Sequence, residues 1–121
     1  EGMKYNIKSN VIAPIAKTRM TEQLFGGMMD MFAPEQVTPA ALYLVSEDAP
    51  AGETFTVGGG RVGRMFMGVT PGWFAGPGAT PSVEDVAANA EQIMDTEGYI
   101  IPGNLMDELQ QIVMPMFQGA N

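Results

Sequence analysis

Along residues 6–14, NIKSNVIAP, Ile7, Ser9 and Val11 alternate with Lys8, Asn10 and Ile12 until Pro14. That two-residue period predicts a strand ended by the proline. Residues 15–33, IAKTRMTEQLFGGMMDMFA, change period. Leu24, Phe25, Met28 and Met29 recur at helical spacing, so a loop leading into a short helix is expected, with Thr21 as its N-cap and Gly26-Gly27 weakening its middle. In APEQVTPAALYLVSED the apolar residues Val37, Ala40, Ala41, Leu44 and Val45 form an i, i+3, i+4, i+7, i+8 stripe, which predicts a core-facing helix. Pro39 fits only in its first turn, so the helix starts near Pro34 or Thr38 and ends by Asp48. ETFTVG then supplies a second strand, and the order strand, loop, helix, strand implies a right-handed crossover between parallel strands.

The remainder predicts two helices. Ser82, with Asp85 three positions on, caps the stripe Val83, Val86, Ala87, Ala90, Ile93, Met94. The second runs from about Asn104 to Met114 on Leu105, Leu109, Ile112 and Val113, and Pro115 is expected to stop it. EGYIIPGN joins them as a turn-rich connection.

Composition narrows the function classes. A chain of 121 residues, 45% hydrophobic, supports one core, and no apolar run approaches a membrane span. It has no Cys and no His, so it lacks a thiol nucleophile, the commonest general base and the commonest metal ligand. A cytoplasmic setting is expected. The net charge of -8 argues against nucleic acid as a partner. Charge also divides the chain: up to Arg64 six bases face seven acids, whereas residues 65–121 carry seven acids and no base. The division expected from this is residues 1–66 and 67–121. The acidic pairs Glu47-Asp48, Glu84-Asp85 and Asp107-Glu108 lack calcium-loop spacing and read as caps or solvated surface.

One stretch imitates a phosphate site. In TFTVGGGRVG, residues 54–63, Gly58, Gly60 and Gly63 satisfy G-x-G-x-x-G. The following RMFMGVTPGWFAGPGATP is too rich in Gly and Pro to be a helix, so the aligned terminal N–H groups that bind pyrophosphate are missing. A last strand ending in a glycine turn is the expectation. Arg61 and Arg64 are candidates for a phosphate group or, more simply, charges beside that strand. Trp73 and Phe74 read as aromatic anchors in the Gly/Pro loop.

Three separated blocks, NIKSNVIAPIAKTRMT, PEQVTPAALYLVSED and GETFTVGGG, resemble the C-terminal part of the short-chain dehydrogenases/reductases. Within that family the likeness is to the (3R)-hydroxyacyl-CoA dehydrogenase unit of peroxisomal multifunctional enzymes and their bacterial relatives, where N-x-I-A-P-x-A-x-[ST]-R-M-T is typical. The resemblance covers about residues 1–66. It implies an α/β fold: the C-terminal portion of a Rossmann-type doubly wound parallel sheet, comprising its last two strands and crossover helix, plus a helical C-terminal extension.

By the same resemblance the cofactor is NAD or NADP, and Pro14, Ile15, Thr18, Met20 and Thr21 lie around its nicotinamide. Ile15 stands where many relatives have glycine. Residues 22–33 correspond to the substrate loop, and its apolar Leu24, Phe25, Met28, Met29 and Met31 suit an acyl chain, although periodicity alone would make them core. The family's phosphate glycines and its Tyr-x-x-x-Lys pair have no counterpart: Tyr5, Tyr43 and Tyr99 have no lysine four positions on. The implied parent is an oxidoreductase acting on a 3-hydroxyacyl-CoA/3-ketoacyl pair or a similar apolar alcohol, and these residues alone are expected to give no turnover. The alternative is a non-catalytic fragment that acts as an assembly piece. An N-terminal dehydrogenase half or self-association, as in a homo-oligomer, would cover the open sheet, with Val37 to Val45 and Phe55 to Val57 as contact residues.

Overall fold

The computed structural model describes residues 1–24 and 26–119. It divides into two compact units, Glu1–Phe66 and Met67–Asn121. In the first, strand β1 (Val11–Pro14), helix α1 (Thr38–Leu44), strand β2 (Thr54–Gly58) and strand β3 (Arg61–Met65) build a three-stranded sheet in the order β1-β2-β3. β1 and β2 are parallel, with Ile12 opposite Phe55 and Pro14 opposite Val57. The crossover between them carries α1, as expected of parallel neighbours.

α1 forms where the apolar stripe predicts it. A 3-10 turn, Pro34–Gln36, leads into it, and Pro39 occupies its first turn, where its missing N–H has no helical partner to lose. Ala40 and Leu44 are buried, and Tyr43 stacks on Phe55 of β2 at a ring separation of 6.2 Å. Val45, the last member of the stripe, is instead 81% exposed. The helix ends at Leu44, and the chain turns before Val45 can complete its face.

The first strand is shorter than its alternation suggests. Residues 2–5 form a 3-10 turn closed by Asn6 in the left-handed region (φ 58), and pairing begins only at Val11. The cause lies in the partner: β2 starts at Thr54, and upstream of it the Gly52 N–H donates to the Ser9 carbonyl, so the chain ahead of Val11 meets a turn. Asn10 fixes this junction. Its Nδ2 donates to the Leu44 carbonyl (3.3 Å) and the Pro50 carbonyl (2.7 Å), and its Oδ1 accepts from the Glu53 N–H (3.0 Å).

β3 was not expected. The predicted glycine turn after β2 is a two-residue hairpin loop, Gly59 and Gly60 at φ 60 and 79, and the chain returns antiparallel with Val57 opposite Val62. Two consecutive positive φ values are the type I′ geometry whose twist matches a hairpin. The predicted short helix within 15–33 is also absent as an α-helix among the described residues. Turns occupy 19–24 and a 3-10 helix spans Gly26–Met31, because Gly26 takes a positive φ of 55, outside helical geometry, and the Thr21 hydroxyl bonds the local backbone in place of capping a helix.

In the second unit α2 (Val83–Ala88) and α3 (Ala90–Met94) replace one predicted helix, broken at Asn89. The Ser82–Asp85 capping box is complete in both directions. Helix α4 (Leu105–Glu108) continues through a π turn, Leu109–Val113, into helix α5 (Met114–Gly119), so Pro115 does not stop it. The wider i→i+5 turn immediately ahead of the proline relieves the clash between its ring and the preceding carbonyls. Asn104 caps this helix by accepting from the Met106 and Asp107 N–H groups, and Asp107 accepts from Gly103. Phe74 packs on Phe117 with ring centres 5.0 Å apart, as expected of an anchor docked within its own chain. Trp73 is half-buried. Val69 and Ile100 form an antiparallel bridge across the predicted connection.

The Ser82 backbone N–H and hydroxyl hold the Asp85 carboxyl below its ordinary value of 3.8. A lowered folded value means that the stabilisation is present above 3.8 and lost as pH falls through the lowered value. Protection factors of α2 amides should therefore drop on acidification before those of β2 and β3, and Asp85→Asn should show the same selective loss at neutral pH. Unchanged α2 protection in that variant would contradict the box as the holding interaction.

Candidate functional site

The carboxyl ends of the parallel strands are where an open α/β sheet binds ligands. At this end β1 runs out at Pro14, and the next residue stays attached to the sheet: the Ile15 N–H donates to the Val57 carbonyl at 2.7 Å. A Cβ on Gly58 would stand 2.4 Å from the Ile15 carbonyl oxygen and 2.9 Å from Ile15 Cβ. Glycine is thus required at 58 by the close approach of a neighbouring backbone. The glycine run serves packing, and no helix follows it to offer N–H groups to a phosphate.

Beyond Ile15 the chain folds on itself around one hydroxyl. Thr21 Oγ1 donates to the Ala16 carbonyl at 2.7 Å, accepts from the Thr18 N–H at 2.8 Å and lies 3.3 Å from Thr18 Oγ1. The Thr18 carbonyl accepts in turn from the Thr21 and Glu22 N–H groups. Thr21 thus shapes a turn and does not cap a helix. Thr18 is exposed, and since Thr21 gives its proton to Ala16, Thr18 donates in the 3.3 Å contact and its hydroxyl keeps acceptor lone pairs for the N–H of a planar amide such as a carboxamide. The Ile15 N–H, already committed to the sheet, has none to spare.

The chain returns at Phe32, whose carbonyl accepts from the Lys17 N–H at 2.7 Å, and the Lys17 ammonium pairs with Asp30. That pairing raises the Lys17 pKa above its ordinary value. Residues 17–32 are therefore a loop closed at its neck by one backbone bond and one ion pair. Of the expected acyl-chain residues, Met29 is 2% exposed and belongs to the core, whereas Leu24, Met28 and Met31 are open to solvent, as is Met20 of the nicotinamide set. Phe25 lies outside the described residues. Periodicity alone does not separate Met29 from Met28, since adjacent residues diverge only when the backbone path is known.

The arginines have local partners. Arg64 grips Glu53 with both ends of its guanidinium (2.6 and 2.9 Å) and lies over Phe66, while Arg61 reaches back to Thr56 Oγ1 at 3.0 Å. The Nε and Nη2 donors of Arg64 are taken by a carboxylate, so its charge is paired beside the strand. Among the described residues no group of three or more acidic side chains is placed to hold a metal, and no helix is long and apolar enough to cross a membrane.

A protein of Mycobacterium tuberculosis named as a short-chain type dehydrogenase/reductase is 40% identical over 109 residues, which cover 85% of this chain and 36% of the relative. This chain is a homologue of the short-chain dehydrogenases/reductases. The mouse peroxisomal multifunctional enzyme type 2 is 34% identical over 116 residues, covering 93% of this chain and 16% of that protein. The full-length peroxisomal multifunctional enzyme type 2 of Drosophila melanogaster shares the fold at a TM-score of 0.75 and 17% identity, over 98% of this chain and 22% of that one. No family model matches the chain. It spans about a third of the length of the mycobacterial dehydrogenase/reductase and less of the multifunctional enzymes. The α/β fold implied by the sequence resemblance is the one observed, with β3 added to the expected strands.

Gly58→Ala should force Ile15 off the sheet edge and destabilise the first unit by about 1–3 kcal/mol, as overpacking does. Urea unfolding measures it. A variant as stable as the parent would mean that the approach of Ile15 is not a constraint.

Proposed function

We propose that this chain forms the nicotinamide clamp and substrate loop of an NAD(P)-dependent short-chain oxidoreductase acting on a 3-hydroxyacyl-CoA/3-ketoacyl pair or a similarly apolar alcohol. The observation that carries this reading is the loop at the carboxyl end of β1, one closed segment that carries an exposed Thr18 hydroxyl together with exposed Met20, Leu24, Met28 and Met31. The cofactor, when bound, accepts or delivers the hydride. The residues of this chain do the positioning. Pro14 and Ile15 set the backbone path, Thr18 orients the carboxamide by hydrogen bonding, and Thr21 holds Thr18 in place. Met20 flanks the nicotinamide, while Leu24, Met28 and Met31 give an acyl chain a pliable apolar surface and keep water from the reacting carbon. The proton-transfer pair and the phosphate-binding turn come from other residues of the parent protein.

The test is hydride transfer with NADH or NADPH and a 3-ketoacyl-CoA. We expect no turnover from the 121-residue chain and turnover when it is joined to a polypeptide carrying the glycine-rich turn and Tyr-x-x-x-Lys. Thr18→Val should then weaken cofactor binding by about tenfold, the worth of one hydrogen bond. Turnover by the isolated chain, or unchanged binding in the variant, would sink this assignment.

Exposed apolar side chains on the first unit favour a second reading, an assembly piece. Leu42 and Val45 on and after α1, with Val62 and Met65 on β3, are all more than half exposed. Such a surface associates. Light scattering of the isolated chain is expected to report a dimer or larger, and a monomer at micromolar concentration would count against this reading.

A further inference from the structure

We infer that Phe32 is a positioning residue whose ring, seated on Gly59, fixes the 17–32 loop at the carboxyl end of the parallel strands. The loop's neck holds a backbone bond from Lys17 to Phe32 and the Lys17–Asp30 ion pair. The ion pair is exposed, 40% on the lysine and 67% on the aspartate, and exposed pairs of this kind contribute little. Something apolar must therefore tie the neck to the sheet.

Gly59 shows what it is. A Cβ there would stand 2.9 Å from Phe32 Cε1, 3.2 Å from Cδ1 and 3.3 Å from Cζ, so the ring edge lies in the space that any side chain would fill. Two separate demands fall on this residue. The first is φ of 60, needed for the β2–β3 turn, and asparagine meets it, since Asn-Gly is a preferred type I′ pair. The second is open space for the ring, and glycine alone meets it. The presence of glycine at a position where asparagine would serve the turn is explained by the ring. The hairpin loop thereby becomes part of the loop's foundation, and the carbonyl of the seated residue closes the neck.

This inference rests on the assignment of the loop to substrate binding for its functional meaning, but not for its geometry, so the two are tested apart. Gly59→Asn keeps the turn and displaces the ring. Phe32→Ala removes the ring and leaves the turn untouched. In both, hydrogen exchange of the Lys17, Thr21 and Glu22 amides should rise about tenfold while Val57 and Val62 stay protected. Phe32→Tyr, which preserves the ring, should restore the parent pattern. In the joined enzyme, Phe32→Ala should raise KM for the acyl substrate more than it lowers kcat. Unchanged exchange of the loop amides in both variants, or equal loosening in Phe32→Tyr, overturns the seat. Faster loop exchange with an unaltered KM leaves the seat in place and overturns its link to substrate.

Discussion

The parallel pairing of β1 with β2 is the constraint on which the site depends. It is completed one residue past the strand, where Ile15 donates to Val57 and its carbonyl and Cβ close on Gly58. That contact aims the chain from Pro14 into the turn held by Thr21, and the direction of the loop follows. Parallel strands force such an arrangement, because both leave the sheet at the same edge and must diverge there. A side chain on Gly58 would keep the two exits apart. The site exists because they are allowed to touch.

The glycine run acquires its meaning from the same contact. Gly58 admits a backbone, Gly59 admits a ring, and Gly59 with Gly60 turns the chain into β3. Each job is local packing or local conformation. A pyrophosphate would need the N-terminus of a helix, whereas this run leads into a strand. Homology to short-chain dehydrogenases/reductases agrees with this placement, since the run sits at the end of the expected last parallel strand.

What was legible in the sequence follows from how strongly a pattern depends on neighbours. The stripe from Val37 to Leu44 and the Ser82–Asp85 box are local signals and both stand as read, although Val45 falls beyond α1 and the helix behind the box breaks at Asn89. The strand predicted over 6–14 is longer than the one formed because alternation cannot reveal where a partner begins; Gly52 and Asn10 decide that. β3 is not legible in the sequence because Arg61, Gly63 and Arg64 dilute any strand signal, and only the paired turn reveals it. The rule that makes Pro115 a stop assumes regular α geometry, which the π turn before it does not have. At the site, the motif placed Pro14, Thr18 and Thr21 on one segment, but the division of the methionines between core and surface depended on a path that only coordinates supply. The same holds for Phe32, whose partner lies far away in sequence.

Asn10 carries a further consequence. A single amide group bonds the end of α1, the turn after it and the entry to β2, so it ties the start of β1 to the last part of the chain between the parallel strands. Bringing the ends of a connection spanning residues 15–53 together costs on the order of 3 kcal/mol in its length-dependent part alone, against well under 1 kcal/mol for the two-residue hairpin loop. That entropy is lost when β1 joins β2, and not while the hairpin forms. Asn10 gathers its three bonds at the point where that loss falls, so the side chain acts on the topology of the chain more than on the strength of any one strand.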